Sequence, residues 1–399
     1  MTELLFPREE YEARWERVHA ELKKRGYTAA VIWSRGAGTY ERCADVLYLT
    51  GYYSTHSGHE PDVPIWSARS FAAVILELGE MPHLHMDEPE PRYELIATDR
   101  VDWHMDPVKG VAEEIARRGI KGRVAFVGSD FFPVKYMREL EALAPNLFFA
   151  VEDDLVEVVR RIKSRRELEA FREGGETVTL GLNAMMEGLI AGKPEREAAA
   201  EAARIVYARG GVPTLMRCNH GKGRDMHYLA REPLTGIAAD APKPGDLVFG
   251  VLMGPMCKGY WFDGARTTVC GRKPTREQKE LIEDCGKIVE AVMNATRPGI
   301  AAKELARIGQ ALHDKVGGER GVLGEQWPLF GHSNGLFFEH PLYGEHTCRD
   351  DDMIEANMVC TSETFMRRPG VGGAAFEQNY IVKADGIELL TRTPMYFWD

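Results

Sequence analysis

No basic tract, no Cys-x-x-Cys pair, no internal repeat and no long apolar run occurs in this sequence of 399 residues. Without clustered Lys and Arg, and with a net charge of −11 and a pI near 5.7, the chain lacks the electrostatic footprint of a nucleic-acid binder or of a protein held on anionic membranes. Its 7 cysteines are odd in number and unpaired in spacing, which predicts reduced thiols rather than a disulfide frame. Cys257 and Cys270 are read as small buried apolar residues. The N-terminus, Met-Thr-Glu-Leu-Leu-Phe-Pro-Arg-Glu-Glu-Tyr, is charged from its third residue, so neither a secretory signal nor a membrane span is predicted and the expected location is the cytoplasm. The lack of repeats leaves compact domains rather than a solenoid.

What is present is an orderly alternation of elements. The length exceeds a usual single core, so two domains are expected. Residues 8–25 read as an amphipathic helix with Tyr11, Trp15, Val18 and Leu22 on one stripe, and Ala29–Trp33 as a short buried strand. Further strands are predicted at 71–77, 84–86 and 123–127, and helices at 109–118 and 134–143, which makes an α/β unit. The junction falls near 155–165. Beyond it, helices are predicted at 165–191, 194–209, 275–295 and 301–316, with the remaining strands clustered after 245. Residues 53–69 are too polar and Pro-rich for a regular element and read as an extended loop.

The chemistry is concentrated in the last third: Asp263 in Gly-Tyr-Trp-Phe-Asp-Gly-Ala-Arg-Thr, His332 in Gly-His-Ser-Asn-Gly-Leu, Glu363 in Thr-Ser-Glu-Thr and Glu377 in Gly-Gly-Ala-Ala-Phe-Glu-Gln-Asn. Three carboxylates and one imidazole suit a single divalent metal. Each stands in a short apolar, Gly-punctuated stretch that reads as a strand, so all four can converge on one sheet face. Singly, each has a plainer reading: Asp263 as a turn cap before Gly264, His332 as a turn histidine between small residues. Together, three carboxylates without a cation would repel one another and raise at least one pKa, whereas a dication leaves the cluster near net minus one. A cationic substrate group is the alternative source of that positive charge.

These residues, with Pro-Gly-Asp-Leu-Val-Phe (244–249), Arg-Pro-Gly-Ile (297–300) and Pro-Gly-Val-Gly-Gly (369–373), resemble the creatinase, prolidase, aminopeptidase P and methionine aminopeptidase family, the pita-bread metallohydrolases. Asp-Val-Leu-Tyr-Leu-Thr-Gly-Tyr (45–52) and Arg-Arg-Ile-Lys-Ser (160–164) extend the resemblance to the larger two-domain members and to nearly the whole chain. It implies an α/β N-terminal domain over 1–158 and an α+β pita-bread catalytic domain over 159–399. It also implies Asp263, His332, Glu363 and Glu377 as metal ligands, with Glu363 or Glu377 shuttling a proton.

Departures from the family pattern are informative. The family's first metal Asp lies eleven residues before the second, and here that position is Leu252, so one site is complete and its neighbour damaged. Creatinase's catalytic Glu precedes the Arg-Thr pair, where this chain has Ala265, which removes support for creatine-type hydrolysis. The family places a catalytic or substrate-binding His in a polar loop that corresponds to 217–228; His227 is the choice and His220 the rival. Downstream of His332 the family's His-Glu order is reversed, with Glu339 in the His position and His340 in the Glu position. Glu339 is assigned to substrate binding and His340 to catalysis. In creatinase-like relatives the loop matching 53–69 covers the partner subunit's site with an aromatic and an Arg, which implies a homodimer and substrate contacts from Trp66 and Arg69.

The resulting expectation is a metal-dependent hydrolase of a C–N bond in a small molecule or a short Xaa-Pro-type peptide, using one divalent ion (Mn, Zn, Fe or Co). The alternatives are a metal-free creatinase-like hydrolase of a cationic substrate, a lyase of the dimethylsulfoniopropionate-lyase type, and a non-catalytic peptidase-like binding module.

Overall fold

The computed structural model describes residues 3–36, 43–54, 70–221, 232, 234–316 and 329–398, which form two compact units, Met1–Arg160 and Arg161–Asp399.

The first unit comprises α1 (Arg8–Lys24), β1 (Ala29–Arg35), α2 (Ala44–Thr50), β2 (Phe71–Glu77), β3 (His83–Met86), β4 (Arg100–Trp103), α3 (Pro107–Arg118), β5 (Gly122–Val127), α4 (Val134–Leu143), β6 (Leu147–Val151) and α5 (Glu157–Arg160). Its sheet runs β4-β3-β2-β1-β5-β6. Strands β1, β2 and β3 pair antiparallel, while β3–β4, β1–β5 and β5–β6 are parallel. Val31, Trp33, Phe71, Ile75, Val124 and Phe126 pack with Val111 and Ile115 of α3 and Tyr136 and Leu140 of α4. The β3 strand, His-Leu-His-Met, is buried along its length. Burial, reinforced by the neighbouring His83 and His104, pushes the His85 imidazole down to about 2, so that ring is neutral across the physiological range. The edge strand β4, Arg-Val-Asp-Trp, has no buried residue and hence none of the apolar signal by which the other strands are recognised.

The second unit comprises α6 (Arg165–Ile190), α7 (Glu195–Ala208), β7 (Leu215–Gly221), β8 (Leu247–Cys257), β9 (Tyr260–Val269), α8 (Arg276–Ala295), α9 (Ala302–Val316), β10 (Leu329–Asn334), β11 (Phe338–Gly344), β12 (Val359–Arg368), β13 (Gly372–Lys383) and β14 (Gly386–Leu389). The sheet runs β11-β10-β12-β13-β9-β8-β7, with β14 on β13. Helix α6 opens with a capping box in which Ser164 and Glu167 satisfy each other's backbone N–H. It lies on β8 and β9, while α8 lies on β12 and β13. Small residues permit this closeness: a Cβ on Gly174 would stand 2.5 Å from the Phe262 ring. Where the sequence predicts a polar loop from 217, the chain instead continues β7 to Gly221, its side chains alternating across an antiparallel pairing with β8.

Among the described residues, no helix is long and apolar enough to cross a membrane. None of the seven cysteines, all of them among the described residues, is in a disulfide.

Candidate metal centre

Strand pairing decides which side chains meet. Directly paired residues of antiparallel strands share a face, and so do residues two apart along a strand. Glu363 pairs with Glu377, Thr361 with Asn379, His332 with Thr361, and Glu377 with Ala265, two residues from Asp263. The four predicted ligands therefore lie on one face, contributed by β9, β10, β12 and β13. Helices α6 and α8 occupy the other face, where Phe262 meets Gly174 and Cys285 donates to the Thr364 and Ala374 carbonyls. Gly331, at φ +147°, brings the Thr361 carbonyl to where a Cβ would be, so β10 lies close on β12 beside His332.

Asp263 is fully buried; its Oδ1 accepts from Trp261 Nε1 at 2.8 Å, and its Oδ2 lies 3.4 Å from His332 Nε2 without a hydrogen-bond partner. Both carboxylate oxygens of the fully buried Glu377 likewise have no hydrogen-bond partner. Burial pushes the Asp263 carboxyl up, with His332, Trp261 and Asn334 opposing. Burial, then the charges of Glu363 and Asp263, push the Glu377 carboxyl well above the usual carboxylate range. Orphaned buried carboxylate oxygens on one sheet face fit a cation. Their ligand atoms are more widely spread than those of a closed site: among the described residues, a group of three with all ligand atoms within 4.8 Å occurs elsewhere, at His83, His85 and Asp102.

Several residues that hold this arrangement are not singled out by the motifs. Asn379 accepts from Thr361 Oγ1 at 2.9 Å and from Asn334 Nδ2 at 3.1 Å, and donates through its own Nδ2 to the Asp263 carbonyl. The Arg266 guanidinium, fully buried, donates to the carbonyls of Glu377, Pro394 and Thr393 and clamps β9 to β13. An aromatic wall stands beside the imidazole. The rings of His332 and Phe338 are 4.5 Å apart, those of Phe337 and Phe338 4.4 Å, and those of Trp261 and Phe337 5.1 Å. Trp261 and Asn379 stand two residues from Asp263 and Glu377, and strand periodicity could have found both.

Other predicted site residues are not brought to this face. His220 pairs with Val248, two residues from Gly250, and Gly250 packs on Met185 and Met186 of α6. His220 is therefore turned away from the ligand face and toward the helices, where its Nδ1 meets Glu195 of α7 at 2.6 Å. Glu339 pairs with Ser333, on the side opposite His332, and accepts from Lys163 Nζ at 2.6 Å with both side chains fully buried. That ion pair turns the Glu339 carboxylate away from the face that carries His332. His340 stands where the β10–β11 register shifts, and its Nδ1 lies 3.5 Å from Asp352 Oδ2. Trp66, Arg69 and His227 lie outside the described residues.

Leu252 is also placed differently from the expectation. Asp263 pairs with Met253, and Leu252 pairs with Gly264 on the helix-covered face. The Leu252 side chain packs at Gly181 of α6, next to Val206 of α7. Leu252→Asp is therefore expected to lower the melting temperature by several degrees without adding an ion, because an aspartate there would be buried among apolar side chains. Gain of a second ion on metal analysis would show that this pairing register is wrong.

The architecture is that of two-domain prolidases and aminopeptidases. The prolidase structure from Pyrococcus horikoshii OT3 superposes with a TM-score of 0.73 at 21% identity, covering 96% of this chain and 99% of that one. The X-Pro aminopeptidase from Thermotoga maritima MSB8 superposes with a TM-score of 0.75 at 20% identity, covering 96% and 99%. Residues 169–384 match metallopeptidase family M24. The chain belongs to that family and is a hydrolase. Among its sequence relatives, an Xaa-Pro dipeptidase of Pyrococcus horikoshii is 27% identical over 80% of this chain and 86% of its own length. An ectoine hydrolase of Halomonas elongata is 26% identical over 98% of this chain and 97% of its own length.

Proposed function

We propose that this hydrolase cleaves the C–N bond of a short Xaa-Pro-type peptide, with one divalent cation held by Asp263, His332, Glu363 and Glu377. The observation that carries the reading is the buried set of carboxylate oxygens on Asp263 and Glu377 without a protein partner, on the face shared with His332 and Glu363. Relatives named Xaa-Pro dipeptidase support the substrate class. A cation bound there supplies polarisation of a scissile carbonyl and acidification of a water. The protein's own part is positional. Trp261 fixes Asp263 through the Nε1–Oδ1 bond, leaving Oδ2 for the cation. Glu363 or Glu377 takes the proton of the attacking water and returns it to the leaving nitrogen. Phe337, Phe338 and Trp261 exclude water and seat an apolar ring such as proline.

Protein purified without added metal is expected to hold one divalent ion more per chain than its Asp263→Asn variant, and to release proline from Xaa-Pro dipeptides only when that ion is present. Elemental analysis beside a proline-release assay tests both parts. Equal metal in the two proteins would overturn the ligand assignment. Full-length similarity to an ectoine hydrolase favours a second reading, a hydrolase of a small cationic substrate whose positive charge meets the same carboxylates. Hydrolysis of such a substrate without metal would select it. A cytoplasmic location is proposed from the odd number and the spacing of the cysteines, and a homodimer from the family resemblance alone.

A further inference from the structure

The first unit contains a second cluster of ligand-type side chains. His83 and His85 stand two apart on β3, so their rings share a face, with centroids 4.2 Å apart. Edge strand β4 runs parallel beside β3 with Asp102 in register with His85, which brings its carboxylate to the same face. One ligand atom from each of His83, His85 and Asp102 lies within 4.8 Å of the others, and His83 Nε2 is 3.0 Å from Asp102 Oδ2.

Of the four ring nitrogens, three have a polar neighbour, and the contact of His83 Nε2 with Asp102 is the one that an ion would replace. His83 Nδ1 lies 3.4 Å from Glu114 Oε1, with the Arg118 guanidinium against the same nitrogen. The positive charge of Arg118 is taken up by Glu114 and Glu77, each at 2.7 Å. His85 Nδ1 meets His104 Nε2 at 2.9 Å. His85 Nε2 is thereby left over, and this nitrogen of a fully buried residue has no hydrogen-bond partner. The His104 ring is itself seated in a slot that only glycine leaves open: a Cβ on Gly110 would stand 2.3 Å from it. A buried imidazole with one nitrogen held by a partner and the other orphaned is the arrangement in which metal-ligating histidines are oriented.

We propose that His83, His85 and Asp102 form a divalent-cation site in the first unit, with Glu114 and His104 orienting the two imidazoles. Metal binding selects the tautomers with a proton on both Nδ1 atoms: His85 Nδ1–H is given to His104, and His83 Nδ1–H to Glu114 once the Arg118 guanidinium, which donates to that nitrogen in this structure, withdraws to Glu114 and Glu77. Two neutral nitrogens and one carboxylate favour a borderline ion of the Zn2+ class over Mg2+ or Ca2+, and three protein ligands leave a position for water. The Asp102 side chain is 49% exposed, which gives the ion a route from solvent. The site would clip the short edge strand β4 to the sheet, so its role is to stabilise this unit.

The test uses untagged, full-length protein stripped with chelator, with Zn2+ alone as probe in equilibrium dialysis and in melting scans. Asp263→Asn serves as the background, so that the ion proposed for the second unit is not counted. That background is expected to bind one Zn2+ per chain and to melt higher with it. Adding Asp102→Asn, a change at a half-exposed position that should not disturb folding, is expected to weaken this ion at least about tenfold. Adding His85→Phe is expected to abolish the binding in protein whose circular dichroism is unchanged. Mg2+ at the same concentration should not raise the melting temperature. Zn2+ binding unaffected by Asp102→Asn, no Zn2+ bound in the Asp263→Asn background, or equal stabilisation by Mg2+ would each overturn the proposal. None of these outcomes bears on the hydrolase reading of the second unit.

Discussion

Replacing Glu377 with Gln is expected to reverse the order of stability of two proteins according to whether metal is present. In chelator the variant should melt above the wild type, by an amount corresponding to about 1–3 kcal/mol, because it removes a buried carboxylate whose oxygens have no partner. With saturating divalent metal the wild type should melt above the variant, since it keeps a negatively charged ligand. Hydrolytic activity should fall at least about 100-fold, the scale on which loss of a single stabilising group in a catalytic centre is felt. The pH dependence follows from the direction of the shift. The Glu377 carboxyl titrates higher in the folded chain than its ordinary value of 4.5, so the folded state holds the proton more tightly. Its contribution to stability is full below about 4.5 and is lost as the pH rises toward the folded value. Chelated wild type should therefore lose stability from about pH 4.5 upward, and Glu377→Gln should lose less. Saturating metal should cancel or reverse that slope, because ligands bind as they deprotonate. Parallel melting curves for the two proteins, with and without metal, would mean that Glu377 does not face a cation.

Removing the cation of the Lys163–Glu339 pair should destabilise the second unit more than any surface substitution. Both side chains are fully buried and the Nζ–Oε2 distance is 2.6 Å, so Lys163→Met leaves a carboxylate in the interior without its counter-charge. Breaking such a pair from one side is worth roughly 3–5 kcal/mol, whereas neutralising both sides removes the uncompensated charge. Lys163→Met should shift denaturant unfolding by that amount, and Lys163→Met with Glu339→Gln should recover much of it. A double variant no more stable than the single one would show that the loss comes from packing of the lysine stem, which also lies near the Phe171 ring. Metal content should be unchanged in either variant, since Glu339 belongs to the face opposite His332.

The contrast between Glu377 and Glu339 shows how far one-dimensional reading reaches. Both are glutamates in short apolar strands of the last third, and both were natural candidates for the site. Their fates differ by the parity of a pairing register: Glu377 pairs with Glu363 on the ligand face, Glu339 with Ser333 on the other. His220 is separated from the site in the same way, and Leu252 by a register in which Met253, not Leu252, faces Asp263. A shift of one residue in a strand exchanges all of its side chains between faces, and the register depends on partners distant in sequence.

The sequence by itself determined the helices and most of the strands, because apolar spacing and capping residues act over a few positions. Residues 8–25 predicted α1, Ser164 and Glu167 frame the start of α6, and the small residues of α6 admit the sheet. It also determined the family, through short words set at turns and strand ends. Tertiary structure alone decided that β4, with no buried residue, is a strand at all, since its pairing with β3 rather than its own composition holds it there. That pairing brings Asp102 to His83 and His85, three residues with no shared motif. Likewise the orphaned oxygens of Asp263 and Glu377 are a property of the folded chain, because whether a buried polar atom has a partner depends on every strand packed around it.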